Sequence, residues 1–389
     1  MRTIGVVTTG RADYGIYYPL LLKIQADPDL LLHLIVSGMH LSPVFGMTID
    51  SIKEDGFDIG DKVELLLSSD SPEGISKSAG LGVIGYSQVY AKTHIDLLVL
   101  LGDRFEMHAA ALAALPFKIP IAHIHGGEIT RGAFDDSLRH SITKLSHLHF
   151  VSTEEYARRV IQMGENPWRV TLSGAPSLDN LGIVNFLDRE ALSVQFGLTV
   201  IKDPFLLVTY HPVTLEYEDT DRQIEQLLAA IEQSGYPCVF TMPNADTHGS
   251  VIRREIKKYA DTHISSQAVE NLGTKGYFSL MKIAEAMVGN SSSGMVEAAS
   301  FELPVVNVGN RQSGRVSGDN IIHVGCDRDK ILDGIHKALS PEFRAGIEGM
   351  VNPYGSGKAS EKILQVLKEI PLDSRLIQKE FYDLNEGLG

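Results

Sequence analysis

The chain has 389 residues, more than one ordinary core needs, and 43% hydrophobic with 22% charged residues is globular composition, so two domains of similar mass are expected. The formal net charge of −14, from 35 basic and 49 acidic residues, argues against general affinity for nucleic acid or an anionic membrane. No apolar stretch is long enough to span a bilayer and no secretory leader precedes the first strand pattern. Cys238 and Cys326 lack metal or redox spacing, so a reduced, cytoplasmic setting is expected.

Short β-rich apolar runs at 3–8, 33–36, 95–101, 119–123 and 147–151, with a weaker one at 169–172, read as strands. Amphipathic segments at 14–24, 73–93 and 137–145 read as helices between them. After a polar, irregular zone at 177–203 the pattern resumes, with strands at 205–210, 238–242, 262–265, 286–289 and 304–308. Continuous apolar strands separated by helices predict parallel sheets covered on both faces. The expected fold class is therefore α/β, with two doubly wound, Rossmann-like domains meeting near residues 175–190. Open parallel sheets bind ligands beyond the carboxyl ends of their strands. The loops after Thr8, Leu101, His123, Tyr210, Met242 and Gly289 are where chemistry is expected.

The first of these loops, Thr9-Gly10-Arg11-Ala12-Asp13-Tyr14-Gly15, is neither a dinucleotide fingerprint nor a P-loop. Arg11 reads as an anion ligand at a helix N-terminus or as a solvated loop cation, and Asp13 as a helix cap. In Gly102-Asp103-Arg104-Phe105-Glu106, Asp103 lies at the carboxyl end of a strand that reads as buried, the placement of a catalytic carboxylate. Arg104 would hold a phosphate or keep Asp103 ionised; the structural alternative is an N-cap aspartate. His123-Ile124-His125-Gly126-Gly127-Glu128 and Asp135-Asp136-Ser137-Leu138-Arg139-His140 then offer His125, Glu128, Asp135 and Asp136 as a dense titratable set. Such a set suits proton transfer, and the two glycines let backbone approach a ligand closely. His-x-His with carboxylates also fits zinc, but nothing else along the chain has ligand spacing, so no metal site is assigned. Asp136 can be a cap, and His123 reads as a strand-end core residue.

In the second half, Pro212 holds His211 in an extended loop, and Asn244 in Met242-Pro243-Asn244 can serve a base or ribose. The strongest signal is Val288-Gly289-Asn290-Ser291-Ser292-Ser293-Gly294-Met295-Val296-Glu297, a strand entering a Ser/Gly turn that opens a helix. Hydroxyls and free backbone N–H groups converge there as an anion site, and Glu297 is placed to accept two ribose hydroxyls. Arg311 and Arg315, in Asn310-Arg311-Gln312-Ser313-Gly314-Arg315, add cations from the next strand-end loop. A capping box would account for one or two serines but not for that pair.

Together these segments, with Arg11-Ala12-Asp13-Tyr14 and Gly289-Asn290-Ser291-Ser292 at either end of the series, resemble the hydrolysing UDP-N-acetylglucosamine 2-epimerases, including those at the entry to sialic acid and legionaminic acid synthesis. The resemblance covers nearly the whole chain, with motifs in matching order. It implies a GT-B fold: a Rossmann-like domain at 1–180, a UDP-binding one at 181–360, and a C-terminal helix and tail at 361–389 crossing back to the first. It also implies a UDP-2-acetamido sugar substrate, UDP-N-acetylglucosamine or UDP-N,N'-diacetylbacillosamine. Loss of the C2 proton with anti elimination of UDP would give a 2-acetamidoglycal, and hydration would release the free 2-epimer. Carried over, Asp103, His125, Glu128 and Asp135 are the acid/base set. Arg11, His40, Arg104, His211, Asn244, Ser291, Ser292, Glu297 and Arg311 are the UDP and sugar ligands. In one departure, the related non-hydrolysing enzymes, and some hydrolysing ones, carry a catalytic Glu where this chain has His125, so proton transfer falls to His125 or to Glu128. No hydride moves, and cations with backbone donors can stabilise the leaving diphosphate, so neither cofactor nor metal is expected. A homodimer is implied at family level. The competing classes are a GT-B glycosyltransferase, a non-hydrolysing epimerase and a sugar-nucleotide sensor without turnover.

Overall fold

The computed structural model describes residues 1–69, 71–131, 133–213, 215–243 and 249–384. Seven strands form the first sheet: β1 (Arg2–Thr8), β2 (Leu30–Ser37), β3 (Ile59–Val63), β4 (Leu97–Leu101), β5 (Ile121–Ile124), β6 (Leu148–Val151) and β7 (Val170–Leu172). They pair in the order β3-β2-β1-β4-β5-β6-β7, and every pairing is parallel. Six strands form the second sheet: β8 (Leu206–Thr209), β9 (Cys238–Thr241), β10 (Ser266–Val269), β11 (Ala286–Gly289), β12 (Val305–Val308) and β13 (Ile321–Val324). Their order is β10-β9-β8-β11-β12-β13, again parallel throughout. Each sheet reverses its winding beside its first strand, between β1 and β4 and between β8 and β11. A crevice opens at such a switch point.

The sequences of the central strands account for this architecture. Every residue of β4, Leu-Leu-Val-Leu-Leu, is buried, as are all four of β5 and of β11. Strands apolar on both sides are stable only when helices cover both faces. Edge strands carry a different pattern. β3, Ile-Gly-Asp-Lys-Val, alternates partly buried with exposed positions, and β13 is largely at the surface. Neither makes a continuous apolar run, so neither is expected from sequence. β10 begins four residues beyond the expected 262–265, because the preceding helix Gly249–Thr262 runs through the start of that segment.

Gly289, at the end of β11, has φ 138°, and a Cβ there would lie 2.0 Å from the Thr209 carbonyl oxygen. Only glycine lets β8 and β11 approach so closely where the second crevice opens.

The core of the first sheet includes Ile363 and Leu367 from the helix Ala359–Glu369, together with Leu376 beyond it. That helix therefore returns to the N-terminal half. Lys368 Nζ bonds Asp27 and Asp29 at 3.0 and 2.8 Å, and buried Asp179 receives the helix's first N–H groups from Ala359 and Ser360 at 2.9 and 2.6 Å. A smaller cluster joins the halves, with Val151, Tyr156 and Val160 packed against Met295, Val296 and Tyr354. No helix among the described residues is long and apolar enough to cross a membrane.

Candidate active site

The C-terminal side of the crevice is built by loops after β8, β11 and β12. Ser291 caps the helix Ser292–Val296, its Oγ accepting from Ser293 N at 3.3 Å and lying 2.9 Å from Ser293 Oγ. Fully buried Asn290 ties the neighbouring loops to this turn. Its Oδ1 accepts from His211 N at 2.7 Å and its Nδ2 donates to His211 O at 2.8 Å. Its carbonyl accepts from Arg311 Nη1 at 3.2 Å and from Gln312 Nε2 at 2.8 Å. Glu297, at the end of the short helix, is nearly buried, and burial pushes its carboxyl up to about 7.

On the N-terminal side the charged groups form a closed network. Buried Arg139, on the helix Asp135–Leu145, pairs through Nη2 with Asp103 and donates from Nη1 to the His125 carbonyl at 2.9 Å. Glu128 is 1% exposed, and its Oε1 lies 2.5 Å from His125 Nδ1 and accepts from Ser152 Oγ at 2.9 Å. Its Oε2 faces Arg315 Nη1 at 3.1 Å and Arg139 Nη1 at 3.7 Å. Burial opposes ionisation of Glu128, but His125, Arg315 and Arg139 outweigh it and hold the carboxyl well below the usual range. His125 takes the left-handed backbone conformation, φ 65°, rarely adopted by non-glycine residues and concentrated at functional sites.

Both sides open into one cavity of about 950 Å³, mouth included. Asp103, Arg104, His125, Glu128, Asp135 and Arg139 line it from the N-terminal half, and Ser292, Glu297, Arg311 and Arg315 from the C-terminal half. A second cavity of about 1020 Å³ adjoins it, sharing Ala12, Ile16, Ser292 and Glu297. That one is lined by Arg11, His211, Ser291, Tyr277, Phe278 and the loop from Val269 to Thr274. The pair can hold an elongated ligand: an anion at the serine turn, a ring beside the acid/base cluster and a flat group against Tyr277 and Phe278.

Residues 22–368 match the family described as UDP-N-acetylglucosamine 2-epimerase. The chain belongs to that family. It is 38% identical, over 97% of its length and 99% of the relative's, to a protein of Legionella pneumophila named UDP-N,N'-diacetylbacillosamine 2-epimerase (hydrolyzing). A Campylobacter jejuni protein named GDP/UDP-N,N'-diacetylbacillosamine 2-epimerase (hydrolyzing) is also 38% identical, over 98% of this chain and 99% of its own. In fold, the chain resembles the crystal structure of UDP-GlcNAc 2-epimerase from Neisseria meningitidis bound to UDP-GlcNAc. The TM-score is 0.80 at 18% identity, covering 94% of this chain and 99% of that one. The two parallel-sheet domains are thus of the GT-B type.

Against this 2-epimerase frame the expected residues fall into four groups. Asp103, Arg104, His125, Glu128, Asp135, Ser292, Glu297 and Arg311 share the first cavity. Arg11, His211 and Ser291 line the second, with Arg11 donating to the Glu270 carbonyl. Asn244 lies outside the described residues. His40 stands apart from both cavities. It is fully buried behind the first loop, its ring nitrogens 3.0 Å from Thr8 Oγ1 and 2.7 Å from Thr48 Oγ1, and Met39 faces the cavity instead. Burial lowers the His40 imidazole to about 4. Asp13 is the expected cap, accepting from Thr9 N and Gly10 N at 3.1 and 3.0 Å. His123 is the expected core residue, bonding Gly102 O at 2.7 Å. Among the described residues no three His, Cys, Asp or Glu side chains are grouped to hold a metal ion.

Sequence reading assigned no roles to Arg139, Asn290 or the loop from Val269 to Thr274. Arg139 carried a usable signal, being one helical turn after Asp135 and so on the same helix face. The loop carried none, because the strand it follows, β10, was expected four residues earlier, so its carboxyl end was not recognised there.

Proposed function

We propose that this family member is a hydrolysing 2-epimerase of a UDP-2-acetamido sugar, releasing UDP and the free 2-epimer by elimination and then hydration. The observation that carries the reading is a single cavity that combines the Asp103, His125, Glu128 and Asp135 cluster with Ser292, Glu297 and Arg311. In this reading the serine turn and Arg311 take the pyrophosphate, Arg104 faces it from the other side, and Glu297 accepts the ribose hydroxyls. The uracil lies in the adjoining cavity, near Arg11 and His211. Arg and backbone donors in a desolvated site stabilise charge building on a leaving diphosphate, and placed side chains move protons with a gain of about 10²–10⁴-fold.

The names of the 38%-identical relatives support hydrolytic release and put UDP-N,N'-diacetylbacillosamine first among substrates to test, with UDP-N-acetylglucosamine second. We also propose domain limits of 1–180, 181–360 and 361–389, a homodimer, a cytoplasmic setting, and no requirement for metal or cofactor. The test is incubation with each UDP-sugar, and with the GDP-linked diacetamido sugar, in D₂O without an acceptor. From a UDP-sugar, UDP and a free 2-epimer carrying one deuterium at C2 are expected. A product still linked to UDP, an acceptor requirement, or binding without turnover would reject the reading.

A further inference from the structure

Resting on that reading, we propose that Arg315 is a positioning residue: it holds Glu128, Glu128 holds His125 Nδ1, and His125 Nε2 is thereby presented to the substrate as the base. A carboxylate that only accepts hydrogen bonds fixes the proton on Nδ1, leaving the Nε2 lone pair for the cavity that His125 lines. Glu128 is poorly placed to take a proton itself, since both of its oxygens are occupied, by His125 and Ser152 on one and by Arg315 on the other.

Arg315 belongs to the C-terminal half yet spends its guanidinium on the opposite side. Besides Glu128, its Nε donates to Ile129 O at 3.2 Å and its Nη2 to Thr130 Oγ1 at 3.4 Å. Four residues earlier on the same loop, Arg311, with Gln312 beside it, grips the Asn290 carbonyl at the serine turn. Just after it, Val316 is pinned by Tyr156 Oη to its N–H at 2.9 Å and by Tyr354 Oη to its carbonyl at 2.8 Å. One short loop therefore touches the serine turn with one arginine and, through Glu128, holds the base with another. Nucleotide that orders this loop also orders the base.

In the first step His125 Nε2 takes the C2 proton. The C2–H electron pair becomes the C1=C2 bond, and the C1–O pair leaves with UDP. Water then supplies hydroxide to C1 while the opposite face of C2 is protonated, and the imidazolium returns its proton to solvent.

The test uses the full-length enzyme and R315M, R315K and E128Q, with kcat, KM, UDP affinity by calorimetry, and NMR of the histidine ring protons. Wild type should show a far-downfield His125 Nδ1 proton that E128Q loses. R315M and E128Q should lose kcat by about 10²-fold or more while UDP affinity is unchanged, and R315K should recover part of the loss. Unchanged kcat in either R315M or E128Q overturns the proposal, as does a loss confined to UDP affinity or a downfield proton that persists in E128Q. Absence of turnover in wild type would instead defeat the epimerase reading, and the ring-proton signal would still decide whether Glu128 fixes His125.

Discussion

The C-terminal wall of the cavity offers donors to an incoming ligand: serine hydroxyls at a helix start and Arg311, whose Nε has no hydrogen-bond partner among the described residues. On the N-terminal wall the charges are largely matched before any ligand arrives, Asp103 by Arg139, and Glu128 by Arg315 and Arg139, with His125 hydrogen-bonded to it. Open donors bind; a matched network holds protonatable groups in fixed geometry. Substitutions on the first wall should therefore register in affinity, and those on the second in rate or stability.

The largest effect is expected for D103N, which keeps shape but removes the charge. Turnover should fall by about 10²–10⁴-fold with UDP affinity intact, and a near-normal rate would show that the N-terminal wall does not carry the chemistry. Arg139→Met should come next, in denaturant unfolding. It leaves Asp103 without its cation and removes one of the two arginines facing Glu128; breaking a buried pair costs about 3–5 kcal/mol, and the part-exposure of Asp103 puts the loss at the lower end of that range. Stability near wild type would mean that the network is not closed as described. R311A should weaken UDP binding by about 1.5–3 kcal/mol, the range for hydrogen bonds to charged groups. A variant of unaltered UDP affinity would remove Arg311 from the binding wall.

The smallest effect concerns pH. Glu297 is raised to about 7, so below that pH the free protein holds a proton there. The ribose-accepting form is the carboxylate, so binding must release that proton. UDP affinity should then fall as pH drops below 7, by at most about 1.4 kcal/mol per unit, and level off above it. E297Q should abolish this component, leaving only the titration of the nucleotide itself. An identical pH dependence in E297Q would contradict the assignment.

Legibility in the sequence follows the same division. The serine turn was readable because its signal is local: an apolar strand, then Ser and Gly, then a helix start. Buried central strands were readable for the same reason, whereas β3 and β13 were not, being half-exposed edges without apolar runs. The N-terminal wall was legible in composition but not in pairing. Arg139 meets Asp103 across 36 residues, and Arg315 meets Glu128 across the two halves of the chain. His40 and Met39 show the finest limit: the family resemblance pointed to the loop after β2, but one residue's difference decides which side chain faces the cavity and which lies behind it.

The most direct test of a division between binding and chemistry is a crystal structure of D103N with an intact UDP-2-acetamido sugar. The pyrophosphate should lie against Ser291, Ser292 and Arg311, with the sugar C2 about 3–3.5 Å from His125 Nε2, the separation of reacting atoms in a productive complex. A pyrophosphate seated elsewhere, or a ring turned so that C2 faces away from His125 and residue 103, would contradict the account.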